Sequence, residues 1–355
     1  MKKKKTKPNI VSDPSLDSYQ VAFKSRSRRR RGIDAGPLTL SLSPAGRGEG
    51  EGISRSMTRR QQRYTNEGDL VSKANSLRGI IRDMGRILLA FSGGVDSTFL
   101  LKIAHETLGD SALAVTAVSP IHPAEEYESA CQIARSFKIK HLVIETHELK
   151  NPTFWSNPPD RCYFCKKELF QTLHVIARQE DIVFVIDAST MDDLSDFRPG
   201  RTAAQEEGIR SPLIEAKFTK KEIRTLSQEM GLPTWNKPSM ACLASRFPYG
   251  EFLSLEKINR VARAENFLRG FGFSQVRVRS HDKLGRIEVN AEHIQKLTNP
   301  ELREKIINEL KHLGFIYLTI DLEGYRTGSQ NEVLPGSGDA KSKEPGAGSV
   351  NRKIE

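Results

Sequence analysis

Three cysteines have a spacing that could do chemistry. Cys162 and Cys165 form a CxxC pair in the stretch RCYFCKK, and Cys242 follows much later in ACLASR. A CxxC pair can be a redox couple, half of a zinc site or part of an iron–sulfur site. Because only four cysteines occur in 355 residues, a disulfide scaffold is excluded, and the pair indicates metal binding or catalysis.

The third cysteine favours one site built from all three thiols. Three thiolates suit a [4Fe-4S] cluster in which one iron has no protein ligand, whereas a structural zinc ion takes four ligands. His147 or Asp160 could supply the fourth ligand, so zinc stays open, as does direct donation of sulfur by a cysteine. A thioredoxin-type pair gives Cys242 no role. The fourth cysteine, Cys131, lies in an amphipathic helical segment and is predicted to be an inert core residue.

A second motif could bind phosphate. The apolar run LLAF leads into SGGVDS, which opens a predicted helix. Glycines let the backbone turn tightly against a polyphosphate, and hydroxyls and amides at a helix start bind anions. The loop contains no lysine and no GK[ST], and it lacks the GxGxxG spacing. It therefore predicts a phosphate site that is neither a Walker loop nor a dinucleotide turn.

The elements around these motifs alternate between apolar runs and amphipathic segments. This alternation predicts an α/β fold with a parallel sheet covered by helices on both faces, which binds ligands at the carboxyl ends of its strands. The predicted strands are 86–91, 112–118, 141–149 and 183–189, and the predicted helices begin near 97 or span about 123–137, 163–179 and 219–230.

A change of rhythm after Gly250 predicts a second, smaller α+β domain. We place the first domain at 70–248 and the second at 249–330. The second domain is predicted to hold helices at about 254–270 and 292–312 and strands at 276–281, 286–290 and 316–322.

Most of the net charge of +11 lies in residues 1–60, so the body of the chain is nearly neutral. We predict a disordered basic extension over 1–60 and a disordered tail over 331–355. The segment LTLSLSPAGRGEG resembles a translated intergenic repeat, so a start at Met57 stays open. No apolar run reaches membrane-spanning length, and we expect a cytoplasmic protein that binds neither membrane nor nucleic acid.

The loop SGGVDS resembles the PP-loop of the ATP pyrophosphatases, whose fold is the adenine nucleotide alpha hydrolase type of doubly wound sheet. These enzymes split ATP between the α and β phosphates to adenylate a carboxylate or carbonyl oxygen, with Mg²⁺ bridging the phosphates. The resemblance implies that Asp96 helps to hold the metal. It implies pyrophosphate contacts from Ser92, Gly93, Gly94, Asp96 and Ser97.

Several longer segments resemble one family of this superfamily, the LarE sulfur transferases. They are DRCYFCKKELF, DFRPGR, ACLASRFPYG, VRVRSH, GRIEV and DLEGYRTG, and the resemblance covers about residues 70–333. It implies adenylation of a carboxylate of pyridinium-3,5-biscarboxylic acid mononucleotide and its conversion to a thiocarboxylate, in biosynthesis of the nickel-pincer nucleotide cofactor. A PP-loop tRNA thiolation enzyme is the alternative, and the near-neutral body argues against it.

The CxxC pair is a difference from the single-cysteine members of that family. In those members the cysteine in the segment matching Cys242 donates its own sulfur. The resemblance therefore implies a three-cysteine type, in which Cys162, Cys165 and Cys242 are catalytic and hold a [4Fe-4S] cluster that delivers sulfide. Sacrifice of a cysteine sulfur stays the other possibility.

Charged residues complete the expected site. Arg277 and Arg279 alternate along a predicted strand and so share a face, as do Arg286 and Glu288. DFRPGR is predicted to form a loop over the nucleotide or substrate, with Asp192 and Asp193 as weaker candidates for metal or ribose. The resemblance implies nucleotide or phosphate contacts from Arg198, Arg201, Arg246, Arg277 and Arg279, and divalent-metal contacts from Glu265 and Glu288. The expected partners are ATP, Mg²⁺, a small-molecule substrate and further copies of the chain.

Overall fold

The computed structural model describes residues 59–195 and 198–334. The predictions of disorder over 1–60 and 331–355 fall almost wholly outside these ranges, so they stay predictions. Within the described part of the chain, none of the helices combines the length and apolar character needed to cross a membrane.

The phosphate loop belongs to a parallel sheet of four strands. These strands are β1 (Ile87–Ala90), β2 (Ala112–Val118), β3 (Lys140–Glu145) and β4 (Phe184–Ile186). Their order is β3-β2-β1-β4, and every neighbouring pair is parallel. The apolar runs bury both faces of the sheet, as a parallel sheet between helices requires. The predicted α/β class is confirmed.

Helices cover both faces of this sheet. Successive residues of β1 point to opposite sides, so Ile87 joins one core with Phe99, while Leu88 joins another with Phe170. In chain order the helices are α1 (Arg59–Met84), α2 (Val95–Leu108), α3 (Ala124–Ser136), α4 (Pro152–Trp155), α5 (Arg161–Gln179), α6 (Pro199–Glu206), α7 (Pro212–Glu215) and α8 (Lys220–Glu229).

Two of these helices differ from the sequence reading. Helix α1 was not predicted, yet Leu77 and Ile81 on it are fully buried in the core beside α2. The described part of DFRPGR is not a loop: α6 begins at Pro199, whose fixed φ and missing N–H suit the first helical position. Arg198 occupies the N-cap position of this helix.

The smaller C-terminal sheet has three strands. Its elements are α9 (Leu255–Arg269), β5 (Val276–His281), β6 (Leu284–Val289), α10 (Ile294–Leu297), α11 (Pro300–His312) and β7 (Tyr317–Ile320). The order is β5-β6-β7, with β5 antiparallel and β7 parallel to β6. The helix predicted over 292–312 is broken, because Asn299 caps a new helix whose first residue is Pro300.

The apolar core of the C-terminal part includes residues that follow the strands of the first sheet. Ile121, which follows β2, and Phe154 of α4 pack in one cluster with Leu243, Phe247 and Val278. The loops at the carboxyl edge of the parallel sheet are therefore covered by the second sheet and by the segment that carries Cys242.

The tight turn of the phosphate loop yields a stability prediction. Gly93 has φ +68°, and a Cβ there would lie 2.9 Å from the Cβ of Ala130. We expect Gly93→Ala to lower the free energy of unfolding by about 2–4 kcal/mol, from backbone strain and overpacking together. Gly208→Ala is the matched control, since Gly208 has φ +65° and open space around it. It should cost about 1 kcal/mol.

Urea denaturation of the full chain measures both losses. Equal losses for the two variants would show that Ala130 does not constrain the loop.

Candidate functional site

The phosphate loop lies between β1 and α2 and is held by its own hydroxyls. The backbone N–H of Gly94 donates to Ser92 Oγ (3.3 Å), and Ser97 Oγ donates to the Gly94 carbonyl (3.3 Å). The hydroxyls of Ser92 and Ser97 are 3.0 Å apart. These contacts place both hydroxyls at the N-terminus of a 14-residue helix, where its dipole attracts an anion.

Asp96 is a partly buried carboxylate in the first turn of α2. Burial raises its pKa to about 6 from the ordinary 3.8, and Asp193 adds to the rise, while Lys220, Arg224 and Arg198 oppose it. Because the folded-state pKa is raised, ionisation of Asp96 costs stability in the unliganded fold; the cost grows as the pH rises from the ordinary 3.8 to about 6 and is complete above that pH. A bound divalent cation would remove that penalty, so the residue fits the predicted metal role.

Asp193 organises the charges beside Asp96. Its carboxylate accepts hydrogen bonds from Lys220 Nζ (2.8 Å) and the Thr190 N–H (2.9 Å), and it pairs with Arg198 Nη1 (3.0 Å). Burial acts to raise the pKa of Asp193, but these partners outweigh it and hold the pKa below its usual value. Asp192 accepts from the Lys220 backbone N–H (2.7 Å). Both aspartates therefore fix the entry to α8.

Two of the cysteines lie near the start of α5, as its second and fifth residues. Cys162 and Cys165 are three residues apart, so they share one face of that helix. Cys242 directly precedes a short 3-10 turn (Leu243–Arg246), which is tied to the loop after β2 by the Leu243 N–H donating to the Ile121 carbonyl (2.7 Å). Tertiary folding thus brings the distant Cys242 to the carboxyl edge of the parallel sheet.

Burial and neighbouring groups raise the pKa of both CxxC thiols. Desolvation and then the Cys242 thiol raise the pKa of Cys162, which still has access to solvent. Desolvation also raises the pKa of Cys165, followed by Glu148, Cys242 and Cys162. Cys165 and Cys242 also pack against the same apolar cluster. The Sγ of Cys165 lies 3.9 Å from Glu148 Oε1.

A metal at these thiols stays a prediction. Across residues 59–195 and 198–334, the His, Cys, Asp and Glu side chains form no group of three or more that could hold a metal ion as they stand. The donor set of three neighbouring thiols nevertheless fits an iron–sulfur cluster chemically. The alternative of a zinc ion with His147 or Asp160 as its fourth ligand also stays a prediction. Cys131 is buried, as predicted for a core residue.

Arg198 pairs with Asp193 at the start of α6. Its positive charge opposes the raised pKa of both Asp96 and Cys162. The start of α6 packs on the start of α5, since a Cβ on Gly200 would lie 3.5 Å from the Cys162 carbonyl oxygen. Arg201 lies in the first turn of α6.

Arg246 holds the backbone around Cys242. Its guanidinium is fully buried and donates through Nε and Nη2 to both carboxylate oxygens of Glu265 (2.8 and 2.9 Å). Nη1 donates to the carbonyls of Ala241 (2.7 Å) and Cys242 (3.1 Å). Burial acts to raise the pKa of Glu265, but the charge and hydrogen bonds of Arg246 outweigh it and lower the pKa. The pair therefore fixes the segment that carries the third thiol.

Two arginines of β5 contact the same segment. Arg277 Nη2 donates to the Ser239 carbonyl (3.0 Å), and Arg279 Nη1 donates to the Ser245 carbonyl (2.7 Å). Burial and the nearby Arg246 lower the pKa of Arg277 to about 10. Arg279 also makes a two-pronged pair with Glu288 (2.9 Å for each bond).

These contacts bear on the roles expected for the arginines and glutamates. Arg246 and Arg279 each pair with a carboxylate, Glu265 or Glu288, and Arg286 also donates to Glu288 (3.1 Å). Glu265 is surrounded by cations, because Arg269 donates to it as well (3.0 Å). The phosphate contacts predicted for the arginines and the metal contacts predicted for the glutamates stay predictions.

Comparison with known proteins identifies relatives of this chain. No family model matches it. The pyridinium-3,5-bisthiocarboxylic acid mononucleotide synthase of Lactiplantibacillus plantarum is 38% identical over 266 residues, which are 75% of this chain and 96% of the synthase. The chain belongs to the family of that synthase, the LarE family.

Two further relatives have no stated function. An uncharacterized protein of Synechocystis sp. is 47% identical over 265 residues, covering 75% of this chain and 99% of that protein. An uncharacterized protein of Methanocaldococcus jannaschii is 30% identical over 258 residues, covering 73% and 97%. The predicted membership of the LarE family is confirmed, and the three-cysteine type stays a prediction.

Sequence reasoning missed two cations of this LarE-family site. Lys237 Nζ donates to the carbonyl of Gly93 (3.0 Å), although Lys237 is far from the loop in sequence. Arg161 is buried over the ring of Tyr249, with its guanidinium carbon 5.0 Å from the ring centroid. The position of Arg161 directly before Cys162 was a usable signal, whereas nothing local marks Lys237 as a neighbour of the loop.

The Arg246–Glu265 pair generates a prediction. Glu265→Gln leaves the buried guanidinium without its counter-charge, so we expect a loss of about 3–5 kcal/mol in the free energy of unfolding at pH 7. Because the pKa of Glu265 is lowered in the folded state, its contribution is present above its ordinary value of 4.5 and is lost as the pH falls further. The difference between variant and wild type should therefore shrink in acid.

Glu251→Gln is the matched control, since Glu251 pairs with Lys257 at a more exposed position (2.7 Å). It should cost less than about 1 kcal/mol. Urea titrations at several pH values measure both effects. A pH-independent loss for Glu265→Gln would contradict the electrostatic account.

Proposed function

We propose that this protein is an ATP-dependent sulfur transferase. It adenylates a carboxylate of pyridinium-3,5-biscarboxylic acid mononucleotide and converts it to a thiocarboxylate, in biosynthesis of the nickel-pincer nucleotide cofactor. One observation carries this proposal: the Leu243 N–H donates to the Ile121 carbonyl (2.7 Å), so the segment that carries Cys242 lies at the carboxyl edge of the sheet from which the SGGVDS loop extends. Kinship with a bisthiocarboxylic acid mononucleotide synthase supplies the substrate class.

ATP would bind with its phosphates at the loop. The hydroxyls of Ser92 and Ser97, together with the N-terminus of α2, suit the phosphate oxygens. Asp96 would hold Mg²⁺, which neutralises phosphate charge when it is bound. Asp193 neutralises part of the charge of Lys220 and Arg198, so these cations stay ordered beside the loop.

The first chemical step is adenylation. A carboxylate oxygen of the substrate forms a bond to the α-phosphorus, the bond from that phosphorus to the α–β bridging oxygen breaks, and pyrophosphate leaves with the electron pair. The carboxylate becomes an acyl adenylate. Hydrogen-bond donors fixed in the loop stabilise the charge that develops, which is the main way a protein accelerates phosphoryl chemistry.

The second step is sulfur transfer at the thiol group. A sulfur nucleophile attacks the acyl carbon, and AMP leaves with the electron pair of the broken C–O bond. Arg246, Arg277 and Arg279 fix the segment around Cys242 through its backbone carbonyls. A [4Fe-4S] cluster held by Cys162, Cys165 and Cys242 would supply sulfide as that nucleophile when bound.

The raised thiol pKa values affect how an iron–sulfur cluster would assemble on the cysteines. Desolvation raises the pKa of Cys162 and Cys165, so both are protonated at neutral pH before a metal binds. Iron must displace those protons, and cluster assembly should therefore improve as the pH rises. Assembly into homo-oligomers stays a prediction.

Product analysis tests the proposed activity. The full chain, purified without oxygen and supplied with ATP, Mg²⁺ and the pyridinium dicarboxylate mononucleotide, should release AMP and pyrophosphate and form a thiocarboxylate detected by mass spectrometry. Asp96→Asn should lower the rate of AMP formation about 100-fold or more, because it removes a charge from the metal and phosphate site. Asp110→Asn, on the exposed turn after α2, is the control and should leave the rate unchanged. ATP consumption that ignores the pyridinium compound would sink the proposal.

Iron analysis tests the thiol group separately. Anaerobically purified protein should contain iron and acid-labile sulfide, and Cys162→Ala, Cys165→Ala and Cys242→Ala should each lose the iron. Cys131→Ala is the control, since Cys131 is buried on α3, outside the helix and the turn that carry the three thiols. Active protein that contains no iron would instead favour donation of a cysteine sulfur.

A further inference from the structure

Lys237 brings a positive charge to a phosphate loop that contains none of its own. The stretch SGGVDS has no Lys or Arg, and its only ionisable side chain is Asp96. Lys237 comes from a distant segment, and its Nζ donates to the Gly93 carbonyl (3.0 Å) and lies 3.4 Å from Ser129 Oγ. The ammonium therefore sits at the turn over which a polyphosphate would lie.

We propose that Lys237 binds the β and γ phosphates of ATP and stabilises the departing pyrophosphate, an inference that rests on the proposed adenylation. As the bond between the α-phosphorus and the bridging oxygen breaks, the electron pair stays with pyrophosphate and negative charge grows there. An ammonium at the loop backbone neutralises that charge. Lys237 would then do the work that a Walker loop assigns to its own lysine.

Other cations near the loop are already committed to partners. Lys220 and Arg198 pair with Asp193. Arg224 donates to the backbone carbonyls of Trp235 (2.8 Å) and Lys237 (2.9 Å). Among the described residues, Lys237 has no carboxylate within ion-pair distance, so its charge is available to a phosphate.

The charged neighbour of Lys237 is Glu126 on α3. Burial lowers the pKa of Lys237, and the negative charge of Glu126 opposes that change. Burial in turn raises the pKa of Glu126 against the charges of Lys237, Arg246, Arg277 and Arg269. Glu126 raises the pKa of Lys237 without contacting it. A polyphosphate that contacts Lys237 would raise that pKa further and so favour the charged ammonium.

The backbone on both sides of Lys237 is anchored. Arg224 of α8 holds the carbonyls at Trp235 and Lys237, and Arg277 of β5 holds the carbonyl of Ser239. Cys242 lies five residues after Lys237, within about 18 Å of extended chain. One anchored segment therefore carries both the phosphate-facing cation and the third thiol.

Ligand titrations of the full chain test this inference without requiring turnover. Lys237→Gln should weaken binding of ATP and of inorganic pyrophosphate about 10- to 100-fold, because a charge-assisted hydrogen bond is lost. AMP, which lacks the β and γ phosphates, should bind with less than about a 3-fold change. Lys237→Arg should restore most of the pyrophosphate affinity, since it keeps a cation at the loop.

Lys221→Gln is the matched control, because Lys221 is an exposed lysine on α8 and its loss changes the net charge equally. It should leave all three affinities unchanged. Thermal melting of each variant reports folding, and Lys237→Met, which keeps the aliphatic stem, repeats the test if Lys237→Gln does not fold.

Three results would overturn the inference. They are pyrophosphate affinity in Lys237→Gln equal to wild type, an equal loss for AMP and ATP, and no pyrophosphate binding by wild type. Failure of the proposed function has a different signature. In that case wild type binds ATP and pyrophosphate through Lys237 but forms no AMP in response to the pyridinium substrate.

Discussion

The buried ion pair between Arg246 and Glu265 fixes the geometry on which the candidate site depends. Both side chains are removed from water, so each charge needs the other and every remaining polar atom needs a partner. Arg246 uses its remaining donors on the carbonyls of Ala241 and Cys242. Because the buried guanidinium must find hydrogen-bond acceptors, it restrains the backbone that carries the Cys242 thiol. Glu265 also accepts a hydrogen bond from the Val278 N–H (3.1 Å), which ties the ion pair to β5.

Through this restraint, the small C-terminal sheet holds the Cys242 segment at the edge of the parallel sheet. Arg277 and Arg279 extend from β5 to carbonyls on either side of Cys242. The apolar core shared by both parts presses Leu243 against the loop after β2. A substrate held by the C-terminal part would therefore meet thiols whose positions that same part maintains. Arg198 pairs with Asp193 at the start of α6, the helix that packs on the start of α5 beside Cys162.

Much of the fold was readable from local patterns. Continuous apolar runs such as ALAVTAV predict buried parallel strands, and SGGVDS predicts a strand, a tight turn and a helix, because glycine and the helix start constrain the backbone locally. The misreadings were also local in origin. Pro199 and Pro300 were passed over as helix starts, although each occupies a first helical position. Helix α1 was not predicted because its apolar residues are sparse and its burial depends on the helices beside it.

For this protein, the sequence by itself determined the LarE family, through its motifs, and it predicted a phosphate site after a buried strand and a site of three thiols. These signals depend on residue type and short spacing. Only the tertiary structure decided which charges meet. It turned Arg246 inward to Glu265 and placed Lys237 against Gly93. Ion pairs and hydrogen bonds act over a few ångströms between residues far apart in the chain, and their partners are known only once the chain has folded.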